Sequence, residues 1–265
     1  MTSIHIISDL FLGFNERATE EHMIPDVDLV IVNGNMGNPK RTMLFLETLC
    51  EAHPDKIFIY NLGYTERYKT AGGKWVNEIE QAGKIRSIIN ESWPKNLYRP
   101  LNESTIITTR NHAKFDVMCV FGFPKITSHM GPWEETWYHR HISSGVTEDF
   151  RHPLFKKPKD TSDVEHGKIP VFATLDFINE QHEYETNLIR QWEIQNTHPK
   201  ILVTHINPFN DARNENLTVS PHLIHLKEGL WVTSNNKVSG VKFLGANLVS
   251  NPGRGSEPRS HVVVF

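Results

Sequence analysis

Three short apolar runs, each cut off by polar or glycine-containing residues, occupy the first 61 positions and limit what this chain can become. They are Ile4-His5-Ile6-Ile7 before Ser8-Asp9, Asp28-Leu29-Val30-Ile31-Val32 before Asn33-Gly34-Asn35, and Lys56-Ile57-Phe58-Ile59-Tyr60 before Asn61-Leu62-Gly63. Runs this short, β-branched and little interrupted suit strands covered on both faces. Between the second and third, Met43, Leu44, Leu46, Leu49 and Cys50 fall at helical spacing, which predicts an amphipathic helix over 40–53. A strand-helix-strand start implies a parallel sheet, and open parallel sheets place ligands at the loops after the strands.

Further on, the pattern predicts a helix over 73–91, ended by Pro94, then two antiparallel strands at 104–109 and 115–121 around the turn Arg110-Asn111-His112. Periodicity disappears from 123 to 168, a stretch rich in Pro, Gly, His, Trp and Lys and too long for a bare connection inside a compact domain. A strand at 170–175, a helix at 180–196 and a strand at 200–204 restore regular structure. Short strands at 230–233, 238–243, 246–250 and 261–265 follow. With no repeat and no linker, the expectation is one domain over 1–265 with a long irregular insertion at 123–168.

Composition narrows the function classes. A hydrophobic share of 38% against 22% charged residues supplies a sizeable core and excludes a disordered chain. The net charge of −3 offers no general attraction to nucleic acid or an anionic membrane, so neither is an expected partner. No run approaches the ~18 apolar residues of a membrane span. The opening residues lack a basic leader, so an intracellular, cytoplasmic protein is expected. Cys50 and Cys119 sit in apolar runs without Cys-x-x-Cys spacing and read as reduced core residues. Histidine, at 15 of 265, raises the question of metal.

Five loop segments bear on that question. They are Ser8-Asp9-Leu10-Phe11, Asn33-Gly34-Asn35-Met36-Gly37-Asn38, Gly63-Tyr64-Thr65-Glu66-Arg67-Tyr68, Val203-Thr204-His205-Ile206-Asn207-Pro208, and Trp231-Val232-Thr233-Ser234-Asn235-Asn236 with the later Asn251-Pro252-Gly253. In order and spacing they resemble the Asp-x-His, Gly-Asp-x-x-Asp/Asn, Gly-Asn-His-Glu, Thr-His-His-x-Pro and Gly-His-x-His motifs of the calcineurin-like metallophosphoesterase superfamily. The resemblance runs over nearly the whole chain. It implies an α/β fold, a four-layer αββα sandwich of two mixed β-sheets.

The same resemblance implies hydrolysis of phosphate esters by two divalent metals, which activate a bridging hydroxide and need a bridging carboxylate and several imidazoles. Of those ligands the chain keeps Asp9 and His205. Phe11 stands at the first-motif histidine and Asn35 at the bridging aspartate. Tyr64 replaces the asparagine ligand, Thr65 the histidine that protonates the leaving group, and Ser234 and Asn236 the last histidines. Defects in the residues that merely orient ligands already cost ~10–100-fold in metal affinity, so losses of this number imply a vestigial pocket with no metal cofactor. The expectation is therefore a catalytically inactive binding or scaffold module, with another protein or a second copy as partner. Two alternatives stand beside it. One is a hydrolase with a reduced, mononuclear site on Asp9, His205 and Asn35, holding a single divalent metal such as Mn. The other is a phosphate or nucleotide sensor anchored by Arg67 or Lys156-Lys157.

Other residues carry a sharp reading and a bland one. His205 fits a hydrogen-bonded histidine at a strand end that needs no metal, and Asn35 and Asn38 fit turn positions beside Gly34 and Gly37. His139-x-His141 and His222-x-x-His225 lack a carboxylate partner and fit solvated loop residues. Trp133, Trp137, Tyr138, His139 and Arg140 make the insertion aromatic and basic, the composition of interface hot spots. The same aromatics would equally pin the loop to the sandwich.

Overall fold

Side chains alternate across a strand, so a run apolar at every position has two apolar faces to cover. The computed structural model describes residues 1–8, 10, 24–34, 36, 39–61, 94–100, 102–122, 175–195, 198–205, 226–234, 239–252 and 260–265. Its elements in chain order are β1 (Ser3–Ile7), β2 (Leu29–Asn33), α1 (Pro39–Ala52), β3 (Ile57–Asn61), β4 (Leu97–Tyr98), β5 (Glu103–Thr108) and β6 (Lys114–Val120). After these come α2 (Leu175–Gln195), β7 (Lys200–Thr204), β8 (Glu228–Val232), β9 (Gly240–Leu244), β10 (Ala246–Asn251) and β11 (Ser260–Val264).

The strands form two mixed sheets, ordered β11-β1-β2-β3-β4 and β5-β6-β7-β8-β10-β9. In the first, β1 to β4 are parallel and β11 runs antiparallel beside β1. In the second, β6, β7, β8 and β10 are parallel, with β5 and β9 antiparallel at the edges. The alternation then sorts the core. Ile4, Ile6, Leu29, Ile31 and Ile59 of the first sheet share one buried cluster with Val117, Cys119, Ile201, Val203, Leu230 and Val232 of the second. The intervening Val30, Val32, Phe58 and Tyr60 cluster with Phe45, Leu46, Leu49 and Cys50 of α1. On the other outer face Met118, Val120, Leu202, Trp231 and Val249 cluster with Ile189 and Trp192 of α2. The result is the four-layer α/β sandwich, helix, sheet, sheet, helix. Cys50 and Cys119 are free and buried, and burial pushes the Cys50 thiol up to about 12 and raises Cys119 as well.

Each described helix is tied down at its carboxyl end, where backbone carbonyls lack partners. Asn96 Nδ2 donates to the carbonyls of Cys50, His53 and Lys56 at 3.3, 3.1 and 3.1 Å, fixing the exit from α1. Lys200 Nζ donates to Trp192 O at 2.7 Å near the end of α2, lies 4.4 Å from the Trp192 ring centroid, and pairs with Asp116 Oδ2 at 3.4 Å. Both charges are buried, so the pair has to stay intact: losing one partner of such a pair costs ~3–5 kcal/mol.

Some expectations shift. The strands of the 104–121 hairpin appear at 103–108 and 114–120, with His112 at φ 65° in its turn. The C-terminal strands fall within two residues of their expected bounds. The expected strand at 170–175 fails at its last residue, because Leu175 opens α2 and the helix starts earlier than 180. A short apolar run such as Val171-Phe172-Ala173 reads as strand, yet by pattern alone it cannot be told from the approach to a buried helix. The two-residue strand β4 had no expectation. The helix at 73–91 and the whole insertion at 123–168 lie outside the described residues. Among the described residues no helix is long and apolar enough to cross a membrane.

Two outcomes are expected. A Cβ on Gly229 would sit 2.6 Å from the Lys200 carbonyl oxygen, so β8 can approach β7 only because this residue has no side chain. Gly229→Ala should cost about 1–3 kcal/mol of stability by urea denaturation, as overpacking does. His5 is buried on β1, and desolvation lowers its pKa from 6.5 to about 4. The unfolded chain therefore binds a proton that the folded chain refuses, and stability should fall as pH drops from 6.5 towards 4. The shift corresponds to about 3 kcal/mol. His5→Leu should flatten the acid limb of a melting-temperature profile.

Candidate functional site

The inward register of the central strands stays apolar until the carboxyl ends, then turns polar. Ser8 continues Ile4 and Ile6. Asn33 continues Leu29 and Ile31, and Asn61 continues Ile57 and Ile59. On the second sheet His205 continues Ile201 and Val203, and Ser234 continues Leu230 and Val232. Phe121 continues Val117 and Cys119 between them. Ser8, Asn33, Asn61, His205 and Ser234 are all 0% exposed. They form a polar layer capping the intersheet core at the end where this fold class binds ligands.

Hydrogen bonds join the layer across the two sheets. Asn33 Nδ2 donates to Thr204 O at 2.8 Å. Asn61 Nδ2 donates to Asn33 Oδ1 at 3.0 Å and to Val120 O at 3.1 Å. Asn33 and Asn61 are direct partners in the β2–β3 register, so the two amides stack side by side before reaching across. Gly34, next in sequence, turns the chain away at φ 69°, a conformation that suits a residue without Cβ.

His205 has a defined tautomer. Ser234 Oγ lies 2.8 Å from His205 O and 2.8 Å from His205 Nδ1. A carbonyl only accepts, so the single hydroxyl proton goes to His205 O, and Nδ1–H donates to Ser234 Oγ. The second neighbour of Nδ1, Asn33 O at 3.4 Å, is also an acceptor and agrees. In the neutral ring Nε2 is then the nitrogen with the lone pair. The ring leans on Phe121, with centroids 5.5 Å apart.

Two further groups brace the floor. Trp231 Nε1 donates to Thr204 Oγ1 at 2.9 Å, holding the end of β7 from the α2 side. The buried Glu185 carboxylate of α2 accepts the backbone N–H groups of Phe121 and Gly122 at 2.9 and 3.0 Å, which fixes the turn after β6. Gly122 has φ 88°, so a side chain there would be strained.

The structure places His205 within this layer, with Nδ1 hydrogen-bonded. Asp9, Phe11, Asn35, Tyr64, Thr65 and Asn236 lie outside the described residues, as do Trp133, Trp137, Tyr138, His139 and Arg140. Sequence reasoning missed Asn33, Asn61 and Glu185. The signal for the two asparagines was parity: each stands two residues beyond the last inward apolar residue of its strand. Glu185 had no such signal.

As a donor set, the layer offers one imidazole, two amides and two hydroxyls. Among the described residues it carries no carboxylate, and its amides are engaged with backbone carbonyls and each other. These residues do not suit a pair of divalent cations, which need anionic oxygen between them. Asn33→Asp keeps the shape but turns a donor into an anion facing Thr204 O. It should destabilise the protein by about 3 kcal/mol or more, combining a lost buried hydrogen bond with an unpaired buried charge. Asn33→Ala should cost less in the same urea titration.

The sequence matches no family model and no curated protein. Solved structures do match. The phosphopantetheinyl hydrolase PptH from Mycobacterium tuberculosis superposes with a TM-score of 0.60 at 12% identity, covering 99% of this chain and 95% of that one. The protein TT1561 of Thermus thermophilus superposes with a TM-score of 0.52 at 17% identity, covering 96% of this chain and 89% of that one. Identities this low speak to architecture alone, and the architecture is the calcineurin-like metallophosphoesterase fold.

Proposed function

We propose that this chain is a phosphoesterase-fold protein that binds without hydrolysing phosphate esters, needs no metal cofactor, and has another protein or a second copy of itself as partner. The observation that carries the reading is the neutral polar layer. Asn33, Asn61 and Ser234 spend their donors on carbonyls and on one another, so the strand ends are used as a structural seal. Only Asp9 and His205 match the family's ligand positions, and one carboxylate cannot offset two divalent cations. A fold survives such losses because its stability lies in the packed sheets while catalysis lives in the loops. In this reading the chain is one domain whose insertion at 123–168 bears the contact residues Trp133, Trp137, Tyr138, His139 and Arg140.

A reduced, mononuclear phosphoesterase is the second reading, and the His205 tautomer favours it. A ligating histidine typically donates its other ring N–H to an oxygen, as Nδ1 does here. Asp9 and His205 would hold one divalent ion, with Asn35 beside them, and the ion would supply Lewis-acid polarisation of a phosphoryl oxygen.

Manganese titration by calorimetry, paired with a chromogenic phosphodiester assay, separates the two. The first reading expects no binding heat and no turnover. Turnover abolished by a chelator and by Asp9→Ala would establish the second. Light scattering should show self-association if the partner is a second copy.

A further inference from the structure

The same end of the sandwich carries an imidazole held between two hydroxyls, separate from the layer around His205. β11 begins beside the carboxyl end of β1, with Ser260 opposite Ile7, and β9 begins beside the carboxyl end of β10, with Gly240 opposite Asn251. Both edge strands therefore start at the mouth. There His261 Nε2 stands 2.6 Å from Ser239 Oγ, and His261 Nδ1 stands 3.2 Å from Ser250 Oγ. Ser239 is exposed, His261 is partly buried and Ser250 is fully buried. The order from solvent inwards is hydroxyl, imidazole, hydroxyl.

We infer that Ser239 is an activated nucleophile for acyl transfer from activated esters, with His261 as its general base and Ser250 as the residue that positions the ring. The geometry meets two requirements of such a site, a nucleophile in hydrogen-bond contact with a base and a base oriented by a third group. With Nδ1–H donated to Ser250 Oγ, Nε2 is left to accept the Ser239 hydroxyl proton. The backbone under Ser250 is fixed, since its carbonyl accepts from Thr233 N at 2.8 Å. Desolvation lowers the His261 pKa, which keeps the ring in its basic, neutral form at physiological pH.

The step balances within the site. Ser239 Oγ attacks the ester carbonyl carbon, the new O–C bond forms, and His261 Nε2 takes the hydroxyl proton. The carbon–oxygen bond to the leaving group then breaks, and His261 returns the proton to the departing oxygen, leaving acyl-Ser239 and an alcohol. Water repeats the sequence, releasing the acid and restoring Ser239. Ser250 is neutral and stabilises the imidazolium less than a carboxylate would. The acceleration therefore belongs at the low end of general-base catalysis, ~100-fold.

The test uses the whole protein with p-nitrophenyl acetate and a fluorophosphonate probe, read by intact mass and peptide mapping. The expected result is one adduct, on Ser239, formed ~100-fold faster than at the exposed Ser104. Its rate should fall on acidification with a midpoint below the ordinary histidine value of ~6.5 and level off above it. Ser239→Ala should take no adduct, His261→Gln should slow labelling by ~100-fold, and Ser250→Ala should slow it by a smaller factor while Ser239 remains the labelled residue. Absence of an adduct overturns the inference. So does a rate that climbs with hydroxide without a plateau, or undiminished labelling of His261→Gln. If His261→Gln does not fold by circular dichroism, the pH profile of the unaltered protein decides alone.

Discussion

Where the apolar filling between the two sheets ends, the amides of Asn33 and Asn61 reach across the gap and fasten one sheet to the other. Stacked sheets hold together by burial, which is strong but indifferent to small slides. A buried amide is different, since each donor must meet a particular carbonyl or forfeit its solvation. These bonds therefore set the position of β2 and β3 against β6 and β7 to within a hydrogen bond's tolerance. Everything at the mouth inherits that registration, including the ring orientation of His205.

The outer layers obey the same logic with different chemistry. The buried carboxylate of Glu185 anchors α2 to the turn after β6, and the buried ammonium of Lys200 anchors the helix's far end. A helix fixed at two points by charge-assisted bonds cannot rotate its apolar stripe away from Trp231 and Val249. On the opposite face α1 is aligned by Phe45, Leu46 and Leu49 seated on Val30, Val32, Phe58 and Tyr60 and by the triple contact of Asn96. The protein thus holds α1 by packing and neutral hydrogen bonds, and α2 by packing and ions.

Much of this architecture was legible in the sequence, because strands buried on both faces leave unbroken apolar runs. Leu29–Val32, Ile57–Tyr60 and Ile201–Val203 could hardly be anything else, and the helical spacing of Leu46, Leu49 and Cys50 was equally plain. The polar layer was only half legible. His205 stood out through its motif, whereas Asn33 and Asn61 looked like strand-ending turn residues. Their role depends on two sheets meeting face to face, and Asn33 bonds to a carbonyl 171 residues away. β4, with two residues, was too short to leave a pattern. The start of α2 was hidden by an apolar run that suits either a strand or a buried helix turn.

The pairing of β1 with β11 carries a consequence for biosynthesis. Ser3–Ile7 leave the ribosome long before Ser260–Val264, the strand that covers their outer edge. Throughout that interval the nascent first sheet presents a bare, strongly apolar border, the kind of template on which stray chains assemble. Until β11 docks, the β1 border stays open to pairing with other chains.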